Sequence, residues 1–220
     1  FWSEMNGNPP DSKEAGLLIP NDMSWFITFD YSDVGYIRDS EKDTLDAAAL
    51  FESIRKNTEQ ANVYRRQHGH RELHVTGWDQ KPAYDSYSHN LVWAIRVHSS
   101  NGDSINYNTR ILGRGGVMSA NLVISPAEFG ATTPTVKGLL TGFRFKTGQK
   151  YAEWRSGDRV AKYGLGALIL GGSTAVAAKT GLLAKLGAFL VKVWKPIVLA
   201  VGAFFAWAQR GTFLSQSKTS

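Results

Sequence analysis

Two uncharged apolar runs near the C-terminus constrain the fold of this chain more than any other feature. The first run spans residues 163–178 and the second spans residues 196–209. Each run is shorter than the roughly 20 residues that cross a bilayer as a helix. The first run is rich in glycine and alanine, which allow membrane helices to approach one another closely. The two runs together predict a C-terminal membrane anchor.

The segment between the two runs is amphipathic and cationic. On a helical wheel its leucine, phenylalanine and valine residues share one arc, and three lysines lie opposite. Lysine side chains can reach lipid headgroups from this position, and tryptophan suits the boundary between lipid and water. The residues predicted at the membrane interface are Lys185, Lys192, Trp194 and Lys195.

Three arrangements of residues 159–210 fit this pattern. The favoured arrangement is a transmembrane helical hairpin built from both apolar runs. The second is an interfacial helix followed by one short span. The third is a pair of helices buried in a soluble core, which the absence of acidic partners for the lysines disfavours.

Charge is divided unevenly along the chain. Asp158 is the last acidic residue, and eight basic residues follow it, whereas 17 basic and 19 acidic residues precede that tail. A nucleic-acid-binding domain usually presents its cations on a folded face with polar and aromatic residues among them. Here the cations lie among apolar residues, as they do beside anionic lipid. We therefore expect a lipid bilayer as a partner and no nucleic acid.

Residues 21–158 show the pattern of a soluble α+β domain. Alternating apolar residues predict strands, the capping pattern at Ser40 and Asp43 predicts a long helix that ends near Gly69, and Asn101-Gly102 predicts a hairpin. A second helix is expected to begin at Pro126 and to be interrupted by Pro134. The predicted strands are residues 24–31, 72–78, 89–98, 103–112 and 116–124. This order predicts an antiparallel sheet with one face covered by the long helix.

The ends of the chain complete the predicted organisation. Residues 1–20 are expected to be a loop or the remnant of a missing segment, residues 159–210 the membrane anchor, and residues 211–220 a polar tail.

Asp79, Asp85 and His89 are the candidate acid–base residues, because hydrolases need titratable groups with different pKa values in one cleft. Structural turns are the favoured interpretation, since Gly77, Pro82 and Asp85 are turn formers.

His68, His70 and His74 are close in sequence but lack the spacing of a metalloprotease motif. The chain has no cysteine, which excludes thiolate metal ligands and thiol nucleophiles. We expect no metal and no cofactor.

The run NYNTRILGRGG, residues 106–116, carries Arg110 and Arg114 beside a glycine-rich turn. Guanidinium and backbone N–H groups in this arrangement can bind a phosphate or a lipid headgroup. The alternative is a corner of the sheet whose arginines pair with acidic residues of the domain.

Several longer stretches closely resemble a family of uncharacterised bacterial membrane-anchored proteins, the domain of unknown function 2167. The resemblance covers residues 16–209 and rests on GLLIPNDMSWFITFDYSDVGYIRD, ANVYRRQHGHRELHVTGWDQKPAYD, LVWAIRV, NYNTRILGRGGVMSANLV and KYGLGALILGG. It implies a bacterial inner membrane protein whose soluble domain faces the periplasm and whose missing beginning carries a signal peptide. An organellar inner membrane is the alternative. The family brings no catalytic residues.

The sequence thus predicts a membrane-anchored, non-enzymatic protein that acts as a scaffold or as an accessory subunit of a larger membrane complex with protein partners. The alternatives are an envelope enzyme that uses Asp79, Asp85 or His89, and a module that binds lipid headgroups.

Overall fold

A computed structural model describes residues 13–67 and 69–171 of the chain. Its centre is a six-stranded antiparallel sheet in the order β1-β2-β6-β5-β4-β3. The strands are β1 (Glu14–Leu18), β2 (Trp25–Ser32), β3 (His74–Asp85), β4 (Asn90–Ser99), β5 (Gly102–Leu112) and β6 (Val117–Ile124). The helices are α1 (Ala47–Gln67), α2 (Pro126–Leu140) and the short α3 (Leu165–Ile169), with a 3-10 helix at Tyr151–Glu153. The predicted α+β class is confirmed.

The sheet carries a helix on each face, whereas the sequence predicted one covering helix. On one face the buried residues Leu91, Trp93, Ile95 and Val97 of β4 form a hydrophobic cluster that includes Leu50 and Ile54 of α1. The other face is covered by α2, whose Val136 is fully buried in a second cluster. The sequence did not show which face α2 covers. Residues of the two clusters alternate along the same strands, and this alternation is compatible with α2 on either face.

Helix α1 begins later than the sequence predicted. Oδ1 of Asp46 accepts hydrogen bonds of 3.0 Å from the backbone N–H groups of Ala48 and Ala49, so Asp46 caps the helix. The predicted cap, at Ser40 and Asp43, lies in the preceding loop. The indole Nε1 of Trp78 donates a 3.1 Å hydrogen bond to the carbonyl oxygen of Ala47, which joins the start of α1 to β3.

Strand β3 is longer than predicted and includes the stretch that was interpreted as turns. Its register against β4 shifts between Val75 and Gly77, between Trp78 and Gln80, and between Gln80 and Ala83. These shifts are β-bulges on an edge strand, where a proline without an N–H group is tolerated. Gly77 and Pro82 therefore bend the strand without ending it. Residues 14–18, expected in a loop or strand remnant, form β1 at the opposite edge.

The segment after α2 returns to the sheet and completes the domain. Val160 forms a parallel bridge with Tyr36, and Lys150 pairs with Gly113. Leu165, Leu168 and Ile169 are buried in the same cluster as α1. The beginning of the first apolar run is therefore part of the domain core, and the folded domain continues beyond the predicted boundary at Asp158.

Candidate functional site

The structure does not bring Asp79 and Asp85 into one acid–base set. Asp79 accepts hydrogen bonds of 3.1 and 2.5 Å from Nε and Nη2 of Arg96. Asp85 accepts bonds of 2.9 Å from the backbone N–H of Tyr87 and 2.6 Å from the hydroxyl of Ser88, which lower its pKa. The two carboxylates lie six residues apart on β3, roughly 20 Å for an extended strand. Each one is held in a structural contact.

His89 lies in a group of aromatic rings that we call the tyrosine–histidine cluster, formed by Tyr36, Tyr84, His89, Tyr151 and Trp154. Nδ1 of His89 lies 3.1 Å from the hydroxyl oxygen of Tyr84. The imidazole ring packs against Tyr151 at a tilt of 36° with 4.3 Å between centroids, and Tyr151 stacks on Tyr36 at 4.4 Å. Trp154 continues the column at 5.4 Å from Tyr36. The cluster joins the β3–β4 turn to the loop after β2 and to the 3-10 helix.

Two tyrosines of this cluster, Tyr84 and Tyr151, are held in their neutral form. Burial raises the pKa of Tyr151 and of Tyr84 well above the usual value for tyrosine. The hydroxyl of Tyr151 donates a 2.8 Å hydrogen bond to the carbonyl oxygen of Ile37. His89 has a φ of 54°, and its carbonyl oxygen accepts a 3.1 Å bond from the N–H of Leu112. These contacts fix the β3–β4 turn. The sequence gives little indication of the cluster, because its aromatic residues are scattered along the chain.

Arg114 is engaged by an acidic residue of the domain. Its Nε and Nη2 each donate a 2.6 Å hydrogen bond to Asp158, and its Nη1 donates to the carbonyl oxygen of Gly148 at 3.2 Å. The pair holds the pKa of Asp158 at about 2 and raises the pKa of Arg114. This is the corner arrangement that the sequence left open as an alternative to anion binding.

Arg110 lies in a different environment, on the face of the sheet that α1 partly covers. Residues directly opposite one another in a sheet share a face. The first row across four strands is Leu91, Arg110, Ser119 and Asp30. The second row is Trp93, Asn108, Asn121 and Thr28. The apolar half of this face therefore meets a polar half at β5.

The guanidinium of Arg110 reaches from the first row into the second. Nη1 donates hydrogen bonds to Oδ1 of Asn121 at 2.7 Å and to the carbonyl oxygen of Thr109 at 3.3 Å, and Nη2 donates to Oδ1 of Asn108 at 3.4 Å. The guanidinium carbon lies 4.7 Å from the centroid of the Trp93 ring. We call Trp93, Asn106, Asn108, Arg110 and Asn121 the Arg110 cluster.

The positive charge of Arg110 is only partly balanced by the groups around it. Burial lowers the pKa of Arg110 to about 10, and the nearby charge of Asp30 opposes this effect. Nδ2 of Asn121 donates a 3.3 Å hydrogen bond to Asp30, so an amide separates the carboxylate from the guanidinium. Oδ1 of Asn106, which lies two residues before Asn108 on β5, is buried without a hydrogen-bond partner among the described residues.

The histidines considered as metal ligands are dispersed. Nδ1 of His74 lies 2.9 Å from Oε1 of Glu59, His70 lies in the loop after α1, and His68 lies outside the described residues. Within residues 13–67 and 69–171, no three histidine, aspartate or glutamate side chains form a metal-binding group.

The predicted interface residues Lys185, Lys192, Trp194 and Lys195 lie outside the described residues. In the part of the chain that the structure describes, no helix has both the length and the apolar composition needed to cross a bilayer.

The sequence of the chain matches a known family over most of its length. The profile of the family described as protein of unknown function (DUF2167) matches residues 1–202. The chain belongs to this family. Membership in DUF2167 confirms the resemblance of the quoted stretches, and membrane anchoring stays a prediction. No curated protein matches the chain.

Two solved structures are similar to this DUF2167 chain. One is cyanobacterial PsbP (CyanoP) from Synechocystis sp. PCC 6803, with a TM-score of 0.36 and 11% identity over 56% of this chain and 68% of CyanoP. The other is PA94, a protein of unknown function from Pseudomonas aeruginosa, with a TM-score of 0.36 and 9% identity over 63% of this chain and 88% of PA94. Both likenesses are too weak to carry an argument about function.

Proposed function

We propose that the chain is a non-enzymatic accessory subunit or scaffold of a membrane complex, whose α+β domain is held at the bilayer by an anchor within residues 172–210. The observation that carries the proposal is the composition of residues 172–220. Hydrophobic clusters on both faces of the sheet are formed by residues that precede Gly171. Residues 172–220 carry six basic and no acidic side chains among long apolar runs.

The chemistry of residues 172–220 supports attachment to lipid. Lysine ammonium groups interact with anionic headgroups at the membrane surface, while leucine and phenylalanine side chains insert below them. Trp194 between Lys192 and Lys195 is typical of the interfacial belt. By resemblance to the family, the membrane would be the bacterial inner membrane, with the domain on its periplasmic side.

The contacts of the acid–base candidates support a non-enzymatic role. Asp79 is committed to Arg96, and Asp85 organises the β3–β4 turn. His89 packs against Tyr151 and supports the same turn. General acid–base catalysis needs such groups around one reacting atom, and these three residues instead serve separate structural contacts.

Purification of the intact complex tests the proposal. The full chain, extracted from membranes in a mild detergent, is expected to carry partner subunits in a fixed ratio through two successive purification steps. Phe204→Arg places a charge in the second apolar run. It should release the chain from the membrane and separate it from the partner subunits. Val63→Arg introduces the same charge at an exposed position of α1 and should leave both membrane attachment and the partner subunits in place. A wild-type chain that purifies as a solitary monomer would contradict the proposal.

The hydrogen bond between His89 and Tyr84 is the observation that favours an envelope enzyme as the second candidate function. In that case His89→Ala would abolish a cellular phenotype while the melting temperature stayed at the wild-type value. The scaffold proposal instead expects His89→Ala to lower the melting temperature, because the imidazole supports the turn.

A further inference from the structure

We propose that the Arg110 cluster is a binding site for an anionic group, a phosphate or a carboxylate, which the guanidinium of Arg110 holds on its free edge. The site lies within the folded domain. It therefore does not depend on whether residues 172–210 enter a membrane.

Arg110 differs from the other arginines of the sheet in its charge partner. Arg96 pairs with Asp79 at 2.5 Å and Arg114 pairs with Asp158 at 2.6 Å. Within residues 13–67 and 69–171, Arg110 forms no ion pair, and its hydrogen bonds are to amide and carbonyl oxygens. A partly buried guanidinium bound only by neutral groups retains most of its attraction for an anion.

The unused donors of Arg110 have the geometry that anions select. Its hydrogen bonds to Asn121, Thr109 and Asn108 come from Nη1 and Nη2. Nε donates no hydrogen bond among the described residues. Nε–H and the neighbouring N–H of Nη2 lie on one edge of the guanidinium and form the fork that binds a carboxylate or a phosphate with two parallel hydrogen bonds.

The guanidinium is held in place before any ligand arrives. The ring of Trp93 packs against its plane at 4.7 Å, and Oδ1 of Asn121 fixes Nη1 at 2.7 Å. Trp93, Asn108 and Asn121 are all buried, so the side chain loses little further freedom when an anion binds.

The buried oxygen of Asn106 indicates a second feature of the ligand. Oδ1 of Asn106 has no hydrogen-bond partner in the described parts of the chain, which leaves a buried acceptor unsatisfied. Asn106 lies one row beyond Asn108 on the same face, roughly 7 Å along the strand. A ligand long enough to reach this oxygen would carry an N–H or O–H donor in addition to its anionic group.

The anion has two possible sources, a free small molecule and a lipid headgroup. Tyr163 lies close enough to Arg110 for each to affect the pKa of the other, and Tyr163 lies two residues before the start of α3. The site is consequently near the last described residues of the chain. Phosphate chemistry is common to both sources.

Thermal unfolding of the full chain in a nonionic detergent tests the site. Sodium phosphate and sodium acetate are titrated separately at constant ionic strength, with chloride as the balancing anion. The wild-type melting temperature should rise with at least one of the two anions, because a ligand that binds only the folded state stabilises it. Arg110→Lys keeps the charge but loses the fork, and should weaken binding by about tenfold. Arg110→Gln removes the cation and should abolish binding, whereas Arg55→Gln, at an exposed position of α1, is the matched loss of one cation and should respond like the wild type.

Asp30→Asn changes the affinity in the opposite direction and separates binding from structure. The carboxylate of Asp30 attracts the guanidinium electrostatically and repels an incoming anion. Its neutralisation should increase the affinity several-fold, by about 3 to 10 times for a nearby screened charge. A purely structural cluster would give wild type and Arg110→Lys the same shift of the melting temperature with the anions, and that result would overturn the proposal. Arg110→Lys and Asp30→Asn also decide the matter if Arg110→Gln fails to fold.

Vesicles identify the source of the anion. Binding to phosphatidylglycerol vesicles that Arg110→Lys weakens and Arg55→Gln does not, without a response to free phosphate or acetate, would assign a headgroup. A response to the free anions alone would assign a small molecule. The absence of any response dependent on Arg110 in both arms would refute the site.

Discussion

The carboxylate of Asp158 accepts two hydrogen bonds of 2.6 Å from Nε and Nη2 of Arg114. Asp158 also accepts a 2.7 Å bond from the backbone N–H of Arg155, so it orders its own turn. The pair connects the β5–β6 turn to the segment that leads into α3. The last acidic residue of the chain therefore holds the end of the domain against the sheet.

Asp158→Asn should lower the melting temperature at neutral pH and have little effect at low pH. Arg114 holds the pKa of folded Asp158 at about 2, below the 3.8 that is usual for aspartate. A carboxyl whose pKa is depressed by folding stabilises the protein above its unfolded pKa and loses this effect as the pH falls, here between about pH 4 and pH 2. Melting curves of wild type and variant at pH 7 and across that acid range measure the difference. Asp43→Asn, in an exposed loop, is the control, and a gap between wild type and Asp158→Asn that persisted at pH 2 would contradict the assignment.

Leu165→Ala should destabilise the domain by about 2 to 5 kcal/mol, the usual effect of removing a buried leucine side chain. Leu165 is fully buried in the cluster that contains Leu50 and Ile54 of α1. Leu139→Ala is the matched control, because half of that side chain is exposed, and should cost less than about 1 kcal/mol. Denaturant unfolding measures both free energies. Equal effects would show that α3 does not pack in the core.

Gly116→Ala and Gly130→Ala should change stability in opposite directions. A Cβ at Gly116 would overlap the backbone carbonyl oxygen of Ser32 and the ring of Tyr31, so the substitution must separate β6 from β2. Gly130 lies within α2 with open space where its Cβ would be, and alanine there should stabilise by about 0.5 to 1 kcal/mol. Thermal melts of the two variants provide the comparison. A stable Gly116→Ala protein would show that the two strands are less closely packed than described.

The stability of the domain should fall steeply at alkaline pH because of the tyrosine–histidine cluster. Burial raises the pKa of Tyr151 and Tyr84 in the folded state. A tyrosine with a raised folded pKa stabilises the protein below its unfolded pKa of about 10, and this contribution is lost as the pH rises further. Tyr84→Phe should therefore make the melting temperature less sensitive to pH above 10. Tyr87→Phe, at an almost fully exposed position of the β3–β4 turn, should leave the alkaline slope unchanged.

The elements that could be predicted from the sequence are those with local signals. Asn101-Gly102 predicted the β4–β5 hairpin, and Gly102 has the positive φ of 106° that such a turn requires. Pro126 marked the start of α2. Pro134 was expected to interrupt that helix, but α2 continues through it to Leu140.

Features that depend on contacts between distant residues could not be predicted. β3 continues through Pro82 because it is an edge strand, and the position of a strand in the sheet is a property of the whole fold. Arg110 and Arg114 looked equivalent in the sequence, and only the folded chain gives Arg114 an aspartate and gives Arg110 asparagines. Trp93 and Asn121, which fix the guanidinium of Arg110, were not identified because they lie on two other strands.

Membrane partition of two chains shows whether residues 172–220 attach the domain to a bilayer. One chain is the full 220 residues, and the other ends at Gly171, which preserves Leu165, Leu168 and Ile169 in the core. Membranes from cells that express each chain are washed with alkaline carbonate, and the pellet and supernatant are compared. We expect the full chain to stay in the pellet and the shortened chain to be released. Release of the full chain into the supernatant together with the shortened one would contradict this expectation.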